Sequence, residues 1–209
     1  HDPWSYEATQ KVPVPSHPAM DTNNEDTTHI NVVDKDRNAV SCTHTGVFAK
    51  GLNPLGTGVA MVGGMGWFIP KPGYPNSMAP WKRPMNNMSP FMVLENNRPI
   101  LMQGAPGARR IMNRNAQVIL NILVFGMSPQ EAIIQPVVDV SGRKTFIDSR
   151  MDSSVVNSLT DLGHDIELLE EEPAPTGYFA RPSAIQINHD KNILKAGVDS
   201  YRPTTALGY

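Results

Sequence analysis

Two threonines, Thr27 and Thr28, stand directly behind an acidic stretch, Asn23-Asn24-Glu25-Asp26, and open an alternating segment, His29-Ile30-Asn31-Val32-Val33-Asp34. Chemistry appears there if the bond between Asp26 and Thr27 is cut. Cleavage frees an α-amine with a pKa of about 8 beside the Thr27 hydroxyl, so one residue supplies both nucleophile and general base. Threonine is also a good strand former, and strand propensity alone accounts for a Thr-Thr-His string. Thr45 ends a second alternating segment. If the two segments pair, Thr45 returns beside Thr27.

The elements that must hold these residues can be read from periodicity. Residues 29–34 and 39–45 alternate around Lys35-Asp36-Arg37-Asn38, a run of turn formers, and should form a β-hairpin. Residues 1–26 are polar, with prolines at 3, 13, 15 and 18, and read as extended or loose chain. Residues 46–80, rich in glycine and proline, read as long loops, either site-building or disordered, around a short strand near 59–62. Two strands are expected at 91–95 and 99–104, joined by Asn96-Asn97-Arg98. Beyond Gly107, the residues Ile111, Met112, Asn115, Ala116, Ile119, Ile122 and Leu123 recur with helical period and predict a largely buried helix. Ser128-Pro129-Gln130-Glu131 is a capping box that opens a second helix. A third, over 152–162, carries Val155, Leu159 and Leu162 on one face and stops at Gly163. Alternating segments at 165–169, 183–188 and 193–198 close the chain as strands, the last two joined by His189-Asp190-Lys191-Asn192. Strands, then helices, then strands predict an α+β fold with two core sheets and helices outside.

Composition narrows the function classes. The 209 residues are 40% hydrophobic and 18% charged, with a net charge of −2, enough apolar chain for one sizeable core and no basic excess for nucleic acid. The longest apolar run, 118–125, is broken by Asn121 and is far short of the roughly 18 residues of a membrane span. The beginning, His1-Asp2-Pro3-Trp4, is neither a signal peptide nor an initiator and reads as a fragment of a longer precursor. Cys42 is the single cysteine, so no internal disulfide forms and the compartment stays open. It reads as a small apolar residue inside a strand rather than a catalytic thiol. The histidines at 1, 17, 29, 44, 164 and 189 have no ligand spacing, and neither a metal nor another cofactor is expected.

Four blocks give these residues a family context: Thr27-Thr28-His29 through Thr45, Lys82-Arg83-Pro84-Met85-Asn86-Asn87-Met88-Ser89-Pro90, Gly104-Ala105-Pro106-Gly107-Ala108-Arg109-Arg110-Ile111, and Gly208-Tyr209. In order and spacing they resemble the small subunit of the γ-glutamyltransferase-like family of N-terminal-nucleophile hydrolases. The resemblance implies an αββα sandwich completed by a large subunit from the same precursor. Residues 1–26 would be the tail of that large subunit or a propeptide-like segment, and 27–209 the small-subunit catalytic domain. Thr27 would be the nucleophile and Thr45 a second threonine bonded to it. Gly107 and Ala108 take the place of a Gly-Gly pair whose N–H groups hold the oxyanion, or are merely a tight turn into the helix. Asn86 and Asn87 replace a Ser-Ser pair that contacts the substrate carboxylate, a role amide donors can fill, or serve as turn residues. His44 stands where an aromatic residue is frequent and is a candidate for lining the pocket. Arg109 is an addition beyond the oxyanion turn, either a bidentate grip on a carboxylate or a surface residue of the first helical turn.

The departures bear on substrate. In the family an asparagine after the second threonine, and an Asn-Asn-(Glu/Gln)-Met-Asp-Asp-Phe block, hold the glutamate α-amino and carboxylate groups. Here those positions carry Val47 and Met61-Val62-Gly63-Gly64-Met65-Gly66-Trp67-Phe68, without an acid to pair an ammonium. The resulting expectation is a threonine amidohydrolase or acyltransferase that cuts itself before Thr27 and acts on a small-molecule amide lacking the glutamate α-amino group. A true γ-glutamyltransferase or hydrolase, and an uncut inactive homologue serving as a scaffold, are the alternatives. Family analogy points to the periplasm or secretion, with a cytoplasmic location open.

Overall fold

The structure, a computed structural model, describes residues 27–46, 55–58, 63–171, 178–201 and 203–208. The 1–26 segment, Val47 and the strand expected at 59–62 lie outside the described residues. β1 (Thr27–Val33) and β2 (Ala39–Thr45) form the expected hairpin in the register Thr27↔Thr45 to Val33↔Ala39. Its turn closes through Asp34, whose N–H donates to Asn38 O (3.0 Å) and whose carboxylate accepts from Asn38 N (2.8 Å), with Arg37 at φ +66°.

A four-stranded antiparallel sheet in the order β3-β4-β8-β9 supplies the scaffold, from β3 (Phe91–Glu95), β4 (Arg98–Gly104), β8 (Ser183–Asn188) and β9 (Ile193–Val198). Helix α1 (Ile111–Leu123) and the short α2 (Pro129–Ile134) cover one of its faces. Leu101 of β4, Ala184 of β8, Val118 and Ile122 of α1, and Ala132 and Ile133 of α2 form the core cluster. Side chains alternate along a strand, so Leu101 and Gln103 face the helices while Gly104 faces the other way, toward the hairpin. The layers run helices, four-stranded sheet, hairpin: three layers of an α+β sandwich.

Several expectations change in detail. A third sheet is present, made by β5 (Val138–Asp139), β6 (Thr145–Asp148) and β7 (Ile166–Leu169), with β6 and β7 parallel. β5 and β6 are too short to show a period. In α1 the buried positions are Ile111, Arg114, Asn115, Val118 and Ile122, whereas Met112 and Leu123 are exposed. Arg114 reaches the buried stripe because its guanidinium donates to Ile133 O and to Gln135 O (3.3 Å), satisfying carbonyls where α2 ends. The capping box at Ser128 and Glu131 forms as expected. Helix α3 (Ser153–Asp161) is capped by Asp152 but has no buried residue, and the apolar stripe of Val155 and Leu162 is exposed. Cys42 does lie in a strand, on its exposed face.

Ile133 is 2% exposed at the centre of the core cluster. Ile133→Ala should destabilise the protein by about 2–5 kcal/mol in urea titrations, and a loss below about 1 kcal/mol would contradict this core assignment.

Candidate active site

Alternation along the hairpin sorts its residues by chemistry. Thr27, His29 and Asn31 of β1, with Ser41, Thr43 and Thr45 of β2, point inward and are half-buried. Thr28, Ile30 and Val32, with Val40, Cys42 and His44, point outward and are exposed. The inward face is the polar one. At its open end Thr27 Oγ1 lies 2.9 Å from Thr45 Oγ1, a hydroxyl pair in which either oxygen can donate.

Two residues further in, a network holds His29. Asn31 Nδ2 donates to Ser183 O (3.0 Å) and Ser183 Oγ (3.2 Å), so the Asn31 oxygen is turned to the ring, 3.1 Å from His29 Nε2. Nε2 therefore carries the proton, and Nδ1 accepts from the Thr43 hydroxyl at 2.8 Å. Ser41 Oγ donates to Gln103 O of β4 (3.3 Å). Burial lowers the His29 pKa below its ordinary 6.5, only partly offset by the Asn31 hydrogen bond.

β4 runs out of Gly104 through Ala105 and Pro106 into a turn at Gly107 (φ +142°) and Ala108 (φ +53°), which starts the 3₁₀ turn Ala108–Arg110 at the head of α1. Glycine is required at 107 by conformation and by space, because a Cβ there would stand 2.3 Å from Ala180 Cβ. Ala108 in the left-handed region costs about 1–2 kcal/mol, and contacts from several segments hold the turn. Asn87 Nδ2 donates to Ala108 O, Arg181 N donates to Pro106 O (3.0 Å), and the Arg110 guanidinium stacks 3.6 Å over the Tyr178 ring. Arg181 is itself buried against Glu171 and, at 3.8 Å, Asp199. Burial raises the Glu171 pKa against the pull of Arg181.

A cavity of about 500 Å³ opens beside Thr27, bordered by Thr28 and Asn31, by Pro106 at the turn, by Arg181 and Ser183, and by 203–207 near the C-terminus. Thr27 and the residue preceding the turn thus share one cavity. The other candidates separate. Asn87 is committed to the turn. Asn86 is exposed, and its side-chain oxygen accepts from Met88 N (2.8 Å), the turn role. Arg109 is exposed at the surface of the 3₁₀ turn, and His44 stands on the outward hairpin face beside Thr28, without itself lining the cavity. Gly64–Trp67 is a 3₁₀ turn with Met65 exposed. Among the described residues no three His, Cys, Asp or Glu side chains gather as a metal centre. Sequence reading missed Asn31, Ser41, Thr43 and the 203–207 border. The available signal was the phase of the hairpin: Asn31, Ser41 and Thr43 share the parity of Thr27 and Thr45.

The sequence profile described as gamma-glutamyltranspeptidase matches residues 2–209. An acylase ACY 1 proenzyme of Pseudomonas sp. (strain V22) is 36% identical over 143 residues, 68% of this chain and 26% of its own length. A glutathione hydrolase proenzyme of Bacillus subtilis (strain 168) is 27% identical over 210 residues, 99% of this chain and 35% of its own length. The chain therefore spans about a quarter to a third of the length of these relatives. The crystal structure of a mutant Helicobacter pylori gamma-glutamyltranspeptidase superposes with a TM-score of 0.69 at 29% identity, covering 83% of this chain and 99% of that one.

The half-buried His29, with its lowered pKa, makes stability pH-dependent. Its folded pKa lies below the unfolded value of 6.5, so as pH falls the unfolded chain takes up the proton first. The His29 contribution is complete above about pH 6.5 and is lost as pH falls through the folded pKa. Melting temperatures followed from neutral to mildly acid pH should fall more steeply for the parent than for His29→Gln. Parallel profiles would remove His29 as the cause.

Proposed function

The chain belongs to the gamma-glutamyltranspeptidase family, and from that premise we propose that it is the catalytic part of an N-terminal threonine amidohydrolase or acyltransferase, released by self-cleavage between Asp26 and Thr27. The observation that carries this reading is the hydroxyl pair of Thr27 and Thr45, 2.9 Å apart at the first residue of β1 and beside a cavity. After cleavage the Thr27 α-amine takes the proton of its own hydroxyl while Oγ1 attacks the amide carbonyl. The Thr45 hydroxyl orients that oxygen. The oxyanion is received by the N–H groups of Gly107 and Ala108, at the positive end of α1, where losing one donor costs about 10²–10³ in kcat. The ammonium of Thr27 protonates the departing amine, leaving an acyl ester on Oγ1. Water or another acceptor, deprotonated by the α-amine, releases the acyl group and regenerates the hydroxyl.

The acyl group is one without an α-ammonium. Gly63, Gly64, Gly66 and Trp67 offer no carboxylate to pair such a charge, and an unpaired ammonium costs several kcal/mol on burial. That one relative is named an acylase and another a glutathione hydrolase supports the reaction class on both sides of this choice. The partner is a large subunit from the same precursor. Ile30 (56% exposed), Val32 (45%) and Val40 (54%) form an outward apolar face on the hairpin, where a further layer would bury them. The proenzyme names of the relatives support this pairing.

Mass spectrometry and turnover assays test the nucleophile: Thr27→Ala should abolish both self-cleavage and activity, and Thr27→Ser should retain some of each. A Thr27→Ala protein that is still cut after residue 26 and still active would sink the assignment. For substrate, an amino-free dicarboxylic monoamide should show kcat/KM at least about tenfold above γ-glutamyl-p-nitroanilide, since losing one charged partner costs about 1.5–3 kcal/mol. Gly66→Asp should narrow the gap. Equal turnover of the two by the parent enzyme would refute the substrate class while leaving Thr27 in place.

A further inference from the structure

The hairpin that carries Thr27 and the strand that carries the oxyanion turn belong to different sheets, and no ladder of backbone hydrogen bonds links β1 or β2 to β4 among the described residues. Their separation is set by side chains. His29 is two residues from Thr27 on the same face of β1, and Gly104 is three residues before Gly107 at the end of β4. The imidazole occupies the space a side chain at 104 would take: a Cβ there would stand 2.2 Å from His29 Cε1, 2.6 Å from Nδ1 and 2.7 Å from Nε2. Both ring nitrogens are engaged, by Thr43 and Asn31, so the ring is fixed to its own hairpin before it meets β4. Asn31 in turn is tied to Ser183 of β8.

We propose that His29 is a positioning residue whose ring, seated in the side-chain space left open at Gly104, sets the spacing between the Thr27 hydroxyl and the Gly107–Ala108 turn. The turn itself is pinned, Pro106 O by Arg181 N, so a change at the contact between positions 29 and 104 moves the hairpin carrying Thr27 relative to a turn that stays in place. Nucleophile and oxyanion donors act on one carbonyl, and a displacement of about 1 Å between them can cost on the order of 10²-fold in rate. The role concerns the chemical step and not substrate affinity. It rests on Thr27 being the nucleophile.

The test is a double-mutant cycle in the full-length protein with Gly104→Ala, His29→Ala and both together, supplemented by His29→Gln. kcat is normalised to the chains cleaved before Thr27, counted by mass spectrometry, and melting temperature is followed in parallel. Each single variant should lose at least about tenfold in kcat per cleaved chain with KM changed less than about twofold, as expected of misplacement rather than lost binding. The double variant, where the methyl added at position 104 enters the space vacated by the imidazole, should lose less than the product of the two single losses. His29→Gln, whose amide can donate to Asn31 and accept from Thr43, should recover part of the activity of His29→Ala. If Gly104→Ala does not accumulate, the two His29 variants decide by the same kcat criterion. Single variants with parent kcat, whatever their melting temperature, or a double variant whose loss equals the product, would overturn the proposal. A parent protein neither cut before Thr27 nor active would instead remove the nucleophile assignment beneath it.

Discussion

A polar seam between the hairpin and the four-stranded sheet governs the rest of the structure. Thr27, His29 and Asn31 on one strand and Ser41, Thr43 and Thr45 on the other are turned toward β4 and β8, where hydrophobic side chains would be the usual filling. Each buried polar group left without a partner costs about 1–3 kcal/mol, so a seam of this kind tolerates very few arrangements. A one-residue slip of the hairpin would swap faces and bring Ile30, Val32 and Val40 against acceptors such as Gln103 O and Ser183 O. The seam thus exchanges nonspecific burial for register. Register is what a site divided between two sheets requires.

The second half of the site is over-determined in another way. The turn at Gly107 and Ala108 combines two positive φ values with close contact to Ala180, and is gripped from the Asn87 loop, from the Arg181 backbone and through the Arg110–Tyr178 stack. Behind it lie the buried Arg181–Glu171 pair and the buried Arg114, whose pKa burial pushes down to about 10. Such charges contribute little net stability, because desolvation offsets most of their attraction, but removing one partner strands the other. Their effect here is to leave the segment that supports the turn a single low-energy position. Strain in the turn is held by these contacts.

The two halves meet at few points, chiefly His29 on Gly104 and Ser41 on the Gln103 carbonyl. The outward hairpin face has the opposite character, apolar and uncovered, so the hairpin is amphipathic in the reverse sense to a strand at the surface of a finished domain.

Local features were readable from the chain alone because their causes are local. The hairpin turn at Lys35–Asn38, the Ser128–Glu131 capping box and the helical period of α1 each depend on residues within about four positions of one another. The family blocks marked Thr27, Thr45 and the Gly107 turn, since spacing in sequence survives without a fold. What the chain could not announce were contacts between distant positions: Arg114 turned inward to the end of α2, β6 paired with β7, Asn87 hydrogen-bonded to Ala108 O, and the His29 ring set into Gly104. The apolar outward face inverted the usual expectation that alternation points hydrophobic residues to the chain's own core. Periodicity sorts residues onto faces, and only tertiary packing decides which face meets which neighbour, because that choice rests on the partners each face finds across the fold.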